Sequence, residues 1–120
     1  MTTTLWVLQG LLAFAFTGAG TMKLMKSRAE LAEKMGWVED FSEGQIKTIG
    51  ALEGLGALGL ILPVALGILP ILTGVAAACL TLTMVGATAV HLKRGEFGES
   101  APGAVLGLLS AFVAYSHLAG

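Results

Sequence analysis

Four stretches of this chain run for about a bilayer's thickness with scarcely a charge inside them, and this limits the fold more than any other feature. They cover about residues 5–24, 46–62, 70–92 and 102–118. A helix crossing the hydrocarbon core takes about 20 residues, somewhat fewer where the bilayer thins. Composition agrees: of 120 residues, 55% are hydrophobic and 12% charged, and the mean hydropathy is +0.82. Soluble domains carry nearer a quarter charged residues, and one this small has too much surface to hide so many leucines and glycines. The surplus apolar surface calls for lipid as its solvent. Short links between the runs make an antiparallel four-helix bundle the simplest closed arrangement. The expected fold is therefore all-α, with residues 1–120 forming one four-span integral membrane domain.

Helix punctuation fits these runs. Ser42 and Gln45 form a capping box ahead of the second span, and Pro63 is expected to close it. Pro70 and Pro102 suit the first turn of the third and fourth spans, where a missing N–H costs nothing. The first run lacks the basic n-region of a secretory signal and reads as a retained membrane helix. Between the first two spans, Ser27 and Glu30 make a second capping box, and Gly36 is the expected stop. Leu31 and Met35 lie four apart there, which allows a short amphipathic interfacial helix anchored by Trp37 and Phe41 at headgroup level. A solvated loop of mixed charge fits the same stretch equally well.

Charge sets the orientation. The seven Lys and Arg residues fall beside two connections. Lys23, Lys26, Arg28, Lys34 and Lys47 flank the first, and Lys93 and Arg94 the third. In a four-span chain these connections share a side, so the positive-inside rule puts both in the cytoplasm and both termini outside. Net charge is −1, which gives no reason to expect nucleic acid as a partner. The single cysteine, Cys79, excludes an intrachain disulfide and a cysteine-based metal motif, and reads as a small core residue.

Helix association in lipid relies on close backbone approach and hydrogen bonds, and seventeen glycines suit that. Gly50 and Gly54, then Gly103, Gly107 and Ala111, repeat at four-residue spacing. Ala13, Thr17 and Thr21 form a small-residue stripe on the first span, and a similar one at Gly74 and Ala78 is interrupted by Leu82. Thr81, Thr83 and Thr88 can bond their own helix backbones.

Glu53 stands out. It lies about seven residues into the second span, roughly 10 Å from the end of that helix. An ionised carboxylate in lipid costs several kcal/mol unless paired, hydrated or neutralised, so Glu53 should face the bundle. Gly50, Gly54 and Ala57 share its face. Topology brings Lys23, at the end of the first span, and His91, at the end of the third, to the same level. An acid and an imidazole in a low-dielectric pocket can carry protons or act as general acid and base. The plainer readings are a snorkelling Lys23, an interfacial His91 and a structural Lys23–Glu53 pair. No metal or haem site is expected from two histidines and one buried acid, because His117 falls near the opposite membrane face. Tyr115 suits the interfacial aromatic belt.

"FTGAGTMKLM", "IGALEGLGALGLILP" and "MVGATAVHLKRGE" resemble, in order and spacing, the DoxX-like family of small four-helix bacterial membrane proteins. Gly20–Leu24, Glu53 and the stretch from His91 to Glu96 carry most of that resemblance. Relatives often end the last span with tyrosine, a small residue and arginine, where this chain has Tyr115, Ser116 and His117. The resemblance implies a bacterial inner-membrane protein and, for some members, association with membrane oxidoreductases, including a quinone-reducing thiosulfate enzyme.

Four functions remain open at this stage. The first is a subunit of a membrane oxidoreductase that binds a lipophilic or quinone-like molecule near Glu53, with Lys23 and His91 completing the site. No flavin, nicotinamide or haem signature is present, so electrons would come from a partner. The second is a structural or assembly subunit of a larger membrane complex. The third is a standalone acid/base enzyme, an isomerase or epoxide-opening catalyst, acting on a hydrophobic substrate. Transport is the weakest case, since four spans make a narrow path unless the protein forms homo-oligomers.

Overall fold

In the computed structural model, which describes residues 2–33, 35–69 and 71–119, the chain is all-α. Four long helices, α1 (Thr3–Met25), α3 (Glu43–Ala65), α4 (Ile71–Lys93) and α5 (Phe97–Leu118), form the bundle. A short helix α2 (Arg28–Ala32) and a 3-10 turn (Gly36–Asp40) fill the first connection. The long helices have 22 or 23 residues and are apolar enough to cross a membrane. At 1.5 Å per residue each reaches about 33–35 Å, enough to span a ~30 Å hydrocarbon core. This is a multi-pass membrane protein.

Successive long helices are antiparallel neighbours. α1 packs on α3, α3 on α4 and α4 on α5, and a lighter α5–α1 contact closes the ring. The core is one apolar column, with Leu12 and Phe16 of α1, Leu60 of α3, Leu80 and Met84 of α4 and Val113 of α5. Large side chains such as Phe14, Leu55 and Leu108 point outward, as lipid-facing positions should. Cys79 is also exposed, so it lies on this outer face and not in the core.

Glycine sets the spacing between helices, but only where a backbone comes close. A Cβ on Gly20 would lie 2.7 Å from the Gly50 carbonyl oxygen, and one on Gly50 would lie 2.8 Å from the Lys23 Cβ. Gly56 and Gly59 make the same allowance for Leu80 and Ala76 of α4. Gly103 and Gly107 lie against Thr88 and Met84, as their spacing suggested. The Ala13–Thr17–Thr21 stripe is different. Thr17 and Thr21 are exposed, and the buried face of α1 runs instead through Gln9, Leu12, Phe16, Gly20 and Lys23. Small residues allow close packing without choosing which face packs.

Helix ends depart from expectation at two prolines. Pro63 does not close α3, which continues to Ala65. Without an N–H, Pro63 leaves the Gly59 carbonyl without its helical partner, and the Thr73 hydroxyl donates to that oxygen at 2.9 Å from α4. Pro102 lies beyond the first turn of α5, which begins at Phe97. The expectations for Pro70 and Lys34 fall outside the described residues. Both predicted capping boxes are present at Ser27 and Ser42. Thr81 and Thr83 bond the Ala77 and Cys79 carbonyls of their own helix.

The first connection folds back on the bundle, which decides against a solvated loop. Leu31, Val38 and Ile46 form a second buried cluster, with Met35, Trp37 and Phe41 against it. α2 stops at Ala32, and Gly36 opens the 3-10 turn instead of ending a helix. Arg28 ties the segment together by donating to the Phe41 and Glu39 carbonyls at 2.7 and 2.8 Å.

Candidate functional site

The close approach of Gly20 to Gly50 brings the last turn of α1 against the middle of α3. Lys23 Nζ thereby lies 2.8 Å from Glu53 Oε1. Both residues are buried, at 8% and 2% exposure. Glu53 turns inward, as an acid at that depth must. The ammonium approaches off the hydrogen-bonding directions, so Oε1 has a charge contact but no aligned donor.

His91 belongs to the same end of the bundle but to a different pair. α4 ends in a Schellman motif: Gly95, at φ +74°, donates to the Leu92 carbonyl, and the Glu96 N–H donates to the His91 carbonyl. That reversal carries the Glu96 side chain back over the last turn of α4, where His91 Nδ1 meets Glu96 Oε1 at 3.0 Å. The hydrogen bond from His91, followed by those from Arg94, holds the Glu96 carboxyl below its usual range. An ionised acceptor there places the ring proton on Nδ1. In the neutral ring Nε2 then carries the lone pair, and no described residue bonds it. The predicted trio is thus two pairs, Lys23 with Glu53 and His91 with Glu96.

Both pairs border one cavity of about 700 Å³. Its shape follows from α3 and α4. The register that sets Gly56 against Leu80 and Gly59 against Ala76 would carry Ile49 and Glu53 towards Gly86 and Thr83. These four residues line the cavity instead, so the two helices diverge towards the charged end. Trp37 and Phe41 of the first connection also line it, meeting edge to face with ring centroids 5.5 Å apart. Trp37 lies 5.8 Å from Lys23 Nζ, ring centroid to nitrogen.

This aromatic roof is fastened to the α4–α5 turn. Arg94 Nη1 donates to Asp40 Oδ2 at 2.7 Å, and Arg94 Nε lies 3.3 Å from Glu96 Oε1. The Asp40 bond holds the guanidinium pKa above its ordinary value. Gly36 allows the contact, since a Cβ there would lie 3.0 Å from Arg94 Nη2. The same bond puts the two basic connections at one end of the molecule, as their charges implied.

A second polar link joins three helices at the opposite end. Gln9, fully buried, donates through Nε2 to the Leu60 carbonyl at 2.7 Å. Its Oε1 accepts from His117 Nε2 at 2.8 Å. His117 is therefore engaged with α1, far from His91, and among the described residues no group of ligands could hold a metal.

Sequence reasoning missed Glu96, Arg94, Asp40 and Gln9, and took Trp37 for a membrane anchor. Glycine followed by an acid at a helix C-terminus was the available signal for Glu96. Nothing local marked Gln9.

Four apolar spans around a paired acid and amine, with an aromatic-roofed cavity at the charged end, define a small multi-pass membrane protein with an internal polar site. The chain belongs to the DoxX-like family, whose profile matches residues 7–113 and so takes in Lys23, Glu53, His91 and Glu96. Comparison with curated proteins and with solved structures gives no match.

Proposed function

We propose that this protein is a subunit of a bacterial inner-membrane oxidoreductase assembly and holds a lipophilic, quinone-like molecule in the cavity beside Glu53, with the charged end in the cytoplasm. One observation carries the reading: a cavity of about 700 Å³ with mostly apolar walls has Lys23, Glu53 and His91 on its lining. That volume and that mixture suit a small amphiphilic ligand. The residues fit the head in its reduced, quinol form, whose hydroxyls can donate to Glu53 Oε1, which lacks an aligned donor, and to Nε2 of a neutral His91. A bound quinone would supply electron transfer, with a partner protein as the electron source. Lys23 and Glu53 would hold the head, Trp37 and Phe41 would exclude water, and His91 Nε2 would take up or release a proton.

Purified protein would be titrated with a short-chain quinone and its melting followed in lipid nanodiscs. Saturable stabilisation that Glu53→Gln weakens supports the reading. No stabilisation by any quinone, together with unchanged membrane oxidoreductase activity in Glu53→Gln, sinks it.

One observation favours a structural subunit instead: the Lys23–Glu53 pair lies at the tightest α1–α3 approach, where it would serve as helix glue. Under that reading Glu53→Gln lowers stability while no ligand raises it.

A further inference from the structure

The preceding reading leaves open how a ligand reaches the cavity and what head it carries. We infer that the cavity is filled sideways from the bilayer, through the gap between α3 and α4, by a single-tailed amphiphile with an uncharged, hydrogen-bond-donating head such as a phenol or hydroquinone. This rests on the ligand-binding reading above and deepens it.

The route follows from the rim. Leu52 on α3 and Leu82 on α4 both line the cavity, yet they are 50% and 71% exposed. Apolar residues that are exposed at mid-helix in a membrane bundle face lipid, so the cavity meets the acyl chains there. Gly86, one turn beyond Leu82 on α4, lines the cavity as well. It is exposed, and a Cβ added to it would meet nothing within 4 Å. Elsewhere the aromatic roof is clamped through Asp40 and Arg94, and Gly56–Leu80 and Gly59–Ala76 close the far end. The exposed carboxylate of Glu99 lies on the rim at the charged end, where an apolar tail would not enter.

The head follows from the polar lining. Among the described residues its carboxylates are Glu53, Glu96 and Glu99, and Lys23 is already paired with Glu53. Arg94 is not among the described lining residues and is ion-paired with Asp40 and Glu96. What the described lining then offers is acceptor capacity at buried Glu53 Oε1 and, in the neutral ring, at His91 Nε2, beside the indole N–H of Trp37. A sulfonate or phosphate would meet negative charge with no unpaired lysine or arginine among the described lining residues. A hydroxyl finds acceptors, and its tail finds the leucine rim. A fully oxidised quinone has no proton to donate, so the same lining ranks the reduced form above it.

The test uses the two tryptophans as separate reporters in nanodiscs. Trp6→Phe leaves Trp37 inside the cavity lining, and Trp37→Phe leaves Trp6, at 39% exposure on α1, to report probe dissolved in lipid. The probes are ring-brominated 4-decylphenol, uncharged at pH 7, and ring-brominated 4-decylbenzenesulfonate, which is an anion. The expected result is saturable quenching of Trp37 by the phenol, beyond the Trp6 background, and none by the sulfonate. Gly86→Leu should weaken that quenching about tenfold while leaving the melting temperature and helix content unchanged. Equal quenching by both probes overturns the head assignment, and phenol quenching indifferent to Gly86→Leu overturns the lateral route. Either result leaves the ligand-binding reading standing. Quenching no greater than the Trp6 background by either probe overturns this inference, and the quinone titration then decides separately whether the broader reading also falls.

Discussion

Replacing Lys23 by methionine keeps most of the length of the side chain and removes its charge. With the two charges 2.8 Å apart, Coulomb attraction at an effective dielectric of about 20 is about 6 kcal/mol. Desolvating two ions takes back several kcal/mol each, so the net worth of the pair against an apolar substitute is near zero. The single mutant differs, because it leaves Glu53, 2% exposed, ionised without a partner or forces it to take up a proton. That costs about 3–5 kcal/mol. Lys23→Met/Glu53→Leu removes both charges and should recover most of the loss. The assay is reversible unfolding of the four proteins of this cycle in mixed micelles, followed by helical circular dichroism. A Lys23→Met cost below about 1 kcal/mol, or a double mutant as unstable as the sum of the singles, would show that Lys23 snorkels to the headgroups and that the pair is not the α1–α3 fastening.

Other parts of the structure give their own expectations. Thr73→Val should cost about 1 kcal/mol in the same unfolding assay, since it orphans the Gly59 carbonyl that Pro63 leaves free; a neutral result would mean the proline gap is satisfied elsewhere. Gly20→Ala should cost about 1–3 kcal/mol by driving α1 from α3, and should also weaken the Lys23–Glu53 coupling in the cycle. The Glu96 carboxyl has a lowered pKa, so its contribution to the roof is present above the ordinary glutamate value of 4.5 and lost as pH falls through the folded value. Hydrogen-exchange protection of residues 36–41, corrected for the intrinsic slowing of amide exchange in acid, should therefore fall on acidification through the folded value, and Glu96→Gln should flatten the dependence. Gly95→Ala should strain a backbone at φ +74° by about 1 kcal/mol and loosen the His91–Glu96 contact, visible in the imidazole NMR signals.

The spans, their antiparallel order and the inward turn of Glu53 were legible because each follows from one large free energy, the exclusion of charge from lipid. Lys23 could be matched to Glu53 by depth alone. Finer features were not legible because they depend on partners distant in sequence. Pro63 looks like a helix end until Thr73 answers the carbonyl it exposes. The Ala13–Thr17–Thr21 stripe looks like a packing face until Gln9, Phe16 and Gly20 are seen to occupy that face. His91 was expected beside Glu53, yet a local reversal at Gly95 supplies Glu96 first. Trp37 has the signature of an interfacial anchor, and only the bond between Asp40 and Arg94, far apart in the chain, turns it into a roof.

Native mass spectrometry of the protein released from its own membrane tests most directly whether the cavity holds a ligand. The wild type should carry a bound lipophilic molecule, one per chain and distinct from phospholipid, and Gly86→Leu should have lost it. A wild type carrying only phospholipid would contradict the account, whereas an identical adduct on both proteins would contradict the lateral route alone.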